Sequence, residues 1–319
     1  MEHAFDETTG TYTTDDQPDI RDDLKGKVRS AVLKEGVIFI GICAFDGCVN
    51  LESIMIPGTV TTIEDYAFTG CVNLKSIVIP EGVEFIGNGA FNECSKLKEV
   101  HIPSTVDHIG GGAFSSCTSL EKVTISPDNE HLIIDDKGVI YSRDRTKLIG
   151  TTMDIDGTYE IPDTVRIIED FAFRGRSGIT SIHIPDTVEV ICKGALMGCS
   201  GLTSVEIPDN VKYLGGYIFP GCRNLRRVVL PSGTYRLGYA MFEACASLEE
   251  VIIPDNYTSI GSRAFFGCSE LKDIRIPRSM EHIEGAAFSG CTGLESVDVP
   301  VLCQIEPDSF DGSVSVYRH

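Results

Sequence analysis

The sequence contains no tryptophan, few basic residues and no long apolar run. Lysine and arginine number 27 against 47 aspartate and glutamate, which gives a formal net charge of −20. A chain this acidic repels nucleic-acid phosphates and anionic membrane surfaces, so we expect no nucleic-acid partner. Because no apolar run approaches the ~18 residues of a spanning helix, we also expect no membrane insertion.

A positively charged, apolar leader is also missing from the first residues, which read MEHAFDETTG. Two interpretations stay open: the chain is made without export, or an export signal has been removed.

Motifs for catalysis and metal binding are absent as well. The sequence has no nucleophile elbow, Walker loop, paired-glycine fingerprint or HExxH. It has no CxxC and no Cys/His cluster with zinc spacing. His101 and His183 lie too many repeats apart to share a metal ion. We therefore expect no enzyme activity, no cofactor and no metal.

What the sequence does contain is a phrase repeated every 23 residues. The phrase LKEVHIPSTVDHIGGGAFSSC ends on Cys117, and its apolar residues recur one period earlier. Arg176 occupies a cysteine position of the second array. The cysteines that mark the period form two groups: Cys48, Cys71, Cys94 and Cys117, then Cys199, Cys222, Cys245, Cys268 and Cys291.

Each phrase predicts one coil with a single inward face. In LxxVxIP, Val100 and Ile102 alternate with outward residues, which indicates a short strand that Pro103 ends. VxxIG predicts a second extended segment. AFxxC places Ala113 and Phe114 inward with Cys117, so we expect one turn of helix or 3₁₀ structure there. Coils of this kind stack because none can bury its face alone.

These residues resemble the BspA-like leucine-rich repeat of bacterial surface antigens, IPxxVxxIGxxAFxGCxxLxxV, from about Val28 to Phe310. The resemblance implies an α/β repeat fold. That fold is a right-handed solenoid whose LxxVxI strands form a concave parallel sheet, with short strands and 3₁₀ or helical turns on the convex side. It also implies an adhesin-like protein at the cell surface or secreted.

The breaks in the phrase divide one continuous solenoid into four segments. They are an acidic tail or first cap (1–27), an N-terminal array (28–125), an insert (126–161) and a C-terminal array with its cap (162–319). The turn sequences DDKG and RDRT predict two or three antiparallel strands in the insert, after which TYEIP rejoins the sheet. Its acidic pairs, including Asp135 with Asp136, indicate turns rather than a calcium loop. The final VSVY predicts a strand that seals the core.

The twelve cysteines are interpreted as buried free thiols, with a disulfide or a metal site as alternatives. Equivalent residues on stacked coils lie about 4.8 Å apart, which is within Cα range for a disulfide. Their Cβ atoms also stay about 4.8 Å apart, which exceeds the usual limit. Free thiols fit a reducing compartment such as the cytoplasm, which opposes the surface location that the resemblance implies.

The fifth position of each LxxVxI strand forms an outward row with no repeated identity, which makes it the candidate ligand surface. Met55 with Val78, and Val229 with Ile252, form two apolar pairs on neighbouring coils, and apolar patches often mark binding sites. Glu160 also occupies a row position. The predicted binding residues are Met55, Val78, His101, Thr124, His183, Glu206, Val229, Ile252, Arg275 and Asp298.

Two functions remain open from the sequence. The first is a monomeric, non-enzymatic scaffold whose row binds a protein or, alternatively, a glycan. The second is a purely structural acidic spacer or display stalk.

Overall fold

A computed structural model of the protein describes residues 3–318. The chain forms two compact units, Met1–Met153 and Asp154–His319. Each unit is a stack of coils built from short parallel strands, so the predicted repeat solenoid is confirmed at that level.

The first unit begins with a cap that precedes the repeats. The cap contains β1 (Ala4–Asp6), β2 (Thr11–Thr14) and α1 (Asp22–Lys25). β1 and β2 pair in the antiparallel direction, and β2 also pairs in parallel with the first repeat strand, Ser30–Leu33. Tyr12, Ile20 and Leu24 are buried in the same core as the coils, and Tyr12 contacts Phe45 edge-on at 6.3 Å. This acidic segment therefore supplies the apolar side chains that cover the first coil.

Most coils of the first array carry two short strands, and paired strands lie in parallel one period apart; residues 74–80 form no first strand. The pairs Val100↔Val123 and Ile63↔Ile86 show the constant register. The strands are β3 (Ser30–Leu33), β4 (Phe39–Ile40), β5 (Ser53–Met55), β6 (Thr62–Ile63), β7 (Phe85–Ile86), β8 (Glu99–Ile102), β9 (His108–Ile109) and β10 (Lys122–Ile125).

A column of stacked phenylalanines runs through the core of this array. Phe45, Phe68, Phe91 and Phe114 follow one another at centroid distances of 5.1, 5.4 and 5.6 Å. Their planes are within 10° of parallel because identical coils place each ring above its predecessor. The inward positions predicted from the repeat are confirmed as the core.

The AFxxC segment differs from the prediction, because it is a double turn and contains no turn of helix. In the coil of residues 41–48, the Ala44 amide donates to Gly41 O at 3.1 Å and the Cys48 amide to Phe45 O at 3.0 Å. The Phe45 amide instead donates to Ala67 O of the next coil at 2.8 Å. Alternate amides of the segment therefore donate to carbonyls of the next coil, so the segment has no continuous series of helical hydrogen bonds.

Two positions of each double turn have a left-handed backbone, which a helix does not allow. In the same coil they are Cys43, with φ of 56°, and Gly47, with φ of 71°. Glycine occupies the second position in most coils, but Glu93, Ser116 and Ala244 occupy it in three, with φ of 62°, 59° and 59°.

The predicted antiparallel insert is confirmed. It consists of β11 (Leu132–Ile134), β12 (Val139–Ser142) and β13 (Lys147–Thr151), paired in sequence order. Asp135 Oδ1 accepts hydrogen bonds from the amides of Lys137 and Val139 at 3.0 and 2.8 Å. The interpretation of Asp135 as a turn residue is therefore confirmed.

Asn129 joins this insert to the preceding coil and is fully buried. Its Nδ2 donates to the carbonyls of Pro103 and Val106 at 3.0 and 2.8 Å. Its Oδ1 accepts from the amides of His131 and Leu132 at 2.9 and 2.8 Å. One side chain thus satisfies four polar groups that would otherwise be buried without partners.

The second unit repeats the same coil. TYEIP rejoins the sheet as predicted, since Tyr159 pairs in parallel with Ile182. Phe219, Phe242, Phe265, Phe288 and Phe310 form a column of rings within this unit, at 4.8–5.4 Å. The strands are β14 (Gly157–Glu160), β15 (Ile167–Ile168), β16 (Ile179–His183), β17 (Val190–Ile191), β18 (Ser204–Glu206), β19 (Tyr213–Leu214), β20 (Arg227–Val229), β21 (Arg236–Leu237), β22 (Glu250–Ile252), β23 (Ser259–Ile260), β24 (His282–Ile283), β25 (Ser296–Val299), β26 (Gln304–Ile305) and β27 (Ser315–Arg318).

The end of the second unit corrects the prediction for VSVY. β27 is present and pairs in parallel with β25, but Val316 and Tyr317 are 39% and 59% exposed, so the strand extends the sheet without sealing the core. Arg318 holds the segment in place, because its Nη1 donates to the carbonyls of Val301 and Cys303 at 3.1 and 2.8 Å.

Candidate functional site

The predicted ligand row lies on the first strand of most coils, and its side chains point outward. We call these residues the strand row. They are Met55, Val78, His101, Thr124, Glu160, His183, Glu206, Val229, Ile252, Arg275 and Asp298, and all are exposed or half-buried. Where the strands pair, the register places consecutive members side by side, as in His101↔Thr124 and Val229↔Ile252, whereas Val78 and Arg275 lie in segments without a regular strand. Their role in ligand binding stays a prediction.

Apolar residues of the strand row gather on neighbouring coils of the first unit. Met55 is 63% exposed and Val78 is 78% exposed. Val32 pairs with Met55 and is half-buried, so it extends the same apolar strip. Sequence reasoning missed Val32 because its coil reads VRSAVLKEG and lacks the Ile-Pro ending that marks the other strands. The alternation of buried Ala31 and Leu33 around it was the available signal.

Charged side chains flank the second apolar pair, Val229 and Ile252. Val229 is half-buried and Ile252 is 40% exposed. On the same two strands, Arg227 Nε lies 2.7 Å from Glu250 Oε2. Exposed ion pairs of this kind contribute only about 0–1 kcal/mol to stability, so this one mainly keeps the surroundings of the apolar pair electrically neutral.

Polar members of the strand row also bond across coils. His101 Nδ1 and Thr124 Oγ1 are 2.9 Å apart. Arg275 Nη2 donates to Asp255 Oδ1 at 2.6 Å. A cavity of about 640 Å³ lies beside Arg275 and Asp298, with Asp273 and Arg278 also in its lining. The last coils therefore present a charged surface, unlike the coils that carry Val229 and Ile252.

The period cysteines, by contrast, lie inside the coils and form no site. All nine are buried, and every cysteine is a free thiol. The Cys222 Sγ–H donates to Leu196 O at 3.1 Å, as its equivalents do to the carbonyl 26 residues earlier. Burial raises the pKa of the Cys48 and Cys222 thiols to about 12. Such thiols stay protonated near neutral pH, and a protonated thiol is neither a nucleophile nor a metal ligand.

The off-period cysteines are placed differently. Cys43 is exposed, Cys192 is partly buried and Cys303 is buried. Within residues 3–318, no group of three or more His, Cys, Asp or Glu side chains is arranged to hold a metal ion. In the same part of the chain, no helix is both long enough and apolar enough to cross a bilayer.

The repeat geometry agrees with a sequence comparison. The profile of the BspA type leucine rich repeat region matches the chain in six copies, over residues 24–135, 157–245 and 189–317. The chain belongs to the BspA-type leucine-rich repeat family. A comparison with curated protein sequences found no match. Family membership identifies this BspA-type protein as a repeat scaffold, and leucine-rich repeats generally bind proteins.

Solved structures show the same fold. A leucine-rich repeat protein from Eubacterium ventriosum superposes with a TM-score of 0.80 at 22% identity, covering 98% of this chain and 92% of that one. A leucine rich cell surface protein from Faecalibacterium prausnitzii gives 0.61 at 29% identity, covering 86% and 73%. The pneumococcal vaccine antigen PcpA gives 0.52 at 18% identity, covering 91% and 79%.

Proposed function

We propose that this BspA-type protein is a non-enzymatic scaffold that binds a protein ligand on the strand row. One observation carries the proposal. Positions on either side of the row, such as Val100 and Ile102, are apolar and are buried in most coils, whereas the row itself varies from Met55 to Arg275. Where strands of the row pair, as in β18, β20 and β22, the backbone holds diverse side chains about 4.8 Å apart, which is how solenoids build extended binding surfaces.

The apolar strip of Val32, Met55 and Val78 and the pair Val229/Ile252 are the proposed anchors. Exposed apolar groups between polar neighbours lose their contact with water when a ligand covers them, at about 25 cal/mol per Å². A protein surface with complementary apolar side chains fits these groups better than a glycan does. We therefore place protein binding first and glycan binding on this row second.

An adhesin-like role at the cell surface is part of the proposal. It is supported by the Faecalibacterium prausnitzii relative, which is described as a cell surface protein and is 29% identical. The competing function is an acidic spacer or stalk, for which the strand row would have no ligand.

Capture of proteins from a host-cell surface extract tests the proposal. Immobilised wild type is compared with Val229→Asp/Ile252→Asp, which places two charges in the second apolar pair. Val301→Asp/Leu302→Asp is the matched control, because these residues are 63% and 88% exposed in the same unit but lie off the strand row.

We expect a partner that the wild type and the control capture and the row variant does not. If the variant Val229→Asp/Ile252→Asp still captures the partner, the binding site lies outside the strand row. The absence of any captured partner would favour the stalk.

A further inference from the structure

A second surface, separate from the strand row, carries four tyrosines on two consecutive coils of the second unit. We call Tyr213, Tyr217, Tyr235 and Tyr239 the tyrosine face. Tyr213, Tyr235 and Tyr239 are 56%, 67% and 43% exposed, and Tyr217 is half-buried. The sequence has only ten tyrosines in all, so this face concentrates a rare side chain at one place.

Neighbouring side chains hold two of the rings in place. Tyr217 and Tyr239 contact each other at a centroid distance of 4.9 Å with their planes tilted by 54°. Lys193 Nζ lies 5.2 Å from the centre of the Tyr217 ring, within cation–π range. The backbone also links the two, since the Tyr217 amide donates to Tyr239 O at 2.9 Å. Rings fixed in this way lose little conformational freedom when they bind.

Glycines lie between the two tyrosines of each coil, together with the exposed Arg236 in the second coil. Between Tyr213 and Tyr217 the chain has a buried leucine and then Gly215 and Gly216. The following coil has Gly238 in the equivalent region, where an added Cβ would lie 3.1 Å from the Gly216 Cα. The two coils therefore approach each other closely at this glycine. The exposed Arg236 lies between Tyr235 and Tyr239, so its side chain is part of the surface between the aromatic groups.

Three ion pairs lie around the tyrosine face, in addition to the Lys193 ammonium over the Tyr217 ring. Lys212 Nζ lies 2.8 Å from Glu189 Oε2. Arg236 Nη2 lies 2.6 Å from Glu284 Oε1 and is directed along the coils. Arg263 Nη2 lies 2.5 Å from Glu243 Oε1. With three ion pairs and one further cation, Lys193, this face does not share the negative charge of the whole chain, which is −20, so it does not select a strongly cationic partner.

We propose that the tyrosine face binds a neutral carbohydrate. Its pyranose rings would stack their C–H faces on the tyrosine rings. Its hydroxyls would bond to the phenol groups and to the carboxylates at the edge of the face. Tyrosine suits this chemistry because one side chain offers an apolar ring and a polar tip. The inference is independent of the strand row, which lies on the other strand of the same coils.

Intrinsic tyrosine fluorescence provides the assay, because the chain has no tryptophan to mask it. The protein is titrated with four neutral hexasaccharides, cellohexaose, xylohexaose, mannohexaose and laminarihexaose, and with a heparin hexasaccharide as the charged probe. Isothermal calorimetry repeats each titration. The variants are Tyr235→Ala/Tyr239→Ala, Tyr235→Phe/Tyr239→Phe, and the row variant Val229→Asp/Ile252→Asp, each checked for folding by circular dichroism.

We expect at least one neutral hexasaccharide to bind. The alanine variant should lose about tenfold or more in affinity, which corresponds to about 1.4 kcal/mol, as expected when stacked rings are removed. The phenylalanine variant should retain most of the binding, and the row variant should retain all of it. The proposal is overturned by no binding of any neutral probe at millimolar concentration, by binding that survives the alanine change, by binding of heparin alone, or by a protein partner that occupies this face.

Discussion

Replacing Phe265 with alanine removes one ring from the middle of the aromatic column. Phe265 is fully buried and lies 5.3 Å from Phe242 and 4.9 Å from Phe288, ring centre to ring centre. Truncation removes both contacts and leaves a cavity, so we expect a loss of about 3–5 kcal/mol in the free energy of unfolding. The backbone is unchanged, and Phe265 O can still accept the thiol of Cys291.

Phe266→Ala is the matched control, because the neighbouring ring is half-buried and contacts the Arg263 guanidinium at 3.8 Å instead of the core. We expect this change to cost about 1 kcal/mol or less. Urea unfolding measures both values. Hydrogen exchange then locates the damage, which should be greatest in the coils next to residue 265 because each coil contacts mainly its neighbours. Equal costs for the two variants, or uniform loss of protection throughout the second unit, would refute this reasoning.

Three further predictions concern other parts of the coil. Ala244→Gly should raise the free energy of unfolding by up to about 1 kcal/mol, because Ala244 has φ of 59° and a left-handed backbone costs alanine about that much. A lower free energy of unfolding, measured with urea, would contradict this. Asn129→Ala should lower it by about 1–3 kcal/mol by leaving buried carbonyls and amides without partners, and an unchanged urea midpoint would be the contrary result. The period thiols should react with an alkylating reagent only after denaturation, whereas exposed Cys43 reacts in the native protein. Because the folded pKa of Cys48 and Cys222 is raised to about 12, their contribution to stability is complete below pH ~9 and declines as pH rises toward 12. Rapid native alkylation of Cys222 would show that the coils open.

The core could be predicted from the sequence because the same apolar residues recur at the same inward positions of many repeats. Phe114, Val100 and Cys117 each recur at a 23-residue spacing, and a buried position tolerates few replacements. The turn conformation could not be predicted in the same way. The spacing of Ala113, Phe114 and Cys117 fits a helix as well as a double turn. The two conformations differ in the backbone hydrogen bonds between coils, and no sequence pattern indicates those hydrogen bonds.

Other features emerge only when coils are stacked. Glu93 and Tyr66 have a left-handed backbone at turn positions where other coils have glycine, so the residue type does not indicate the conformation there. The acidic composition of residues 1–27 conceals Tyr12, which joins the core. The tyrosine face depends on two consecutive coils, so no single phrase reveals it. The 23-residue period aligns Tyr213 with Arg236 and Tyr217 with Ala240, so the repeat alignment does not show the face either.

The most direct test of the central claim, that the strand row contacts a protein ligand, is site-specific photocrosslinking. Benzoylphenylalanine is placed at residue 252 on the row or at residue 302 off the row, and each protein is irradiated with the captured partner. We expect a covalent adduct from residue 252 and none from residue 302. An adduct from residue 302 alone, or none from residue 252 while the partner stays bound, would contradict the account.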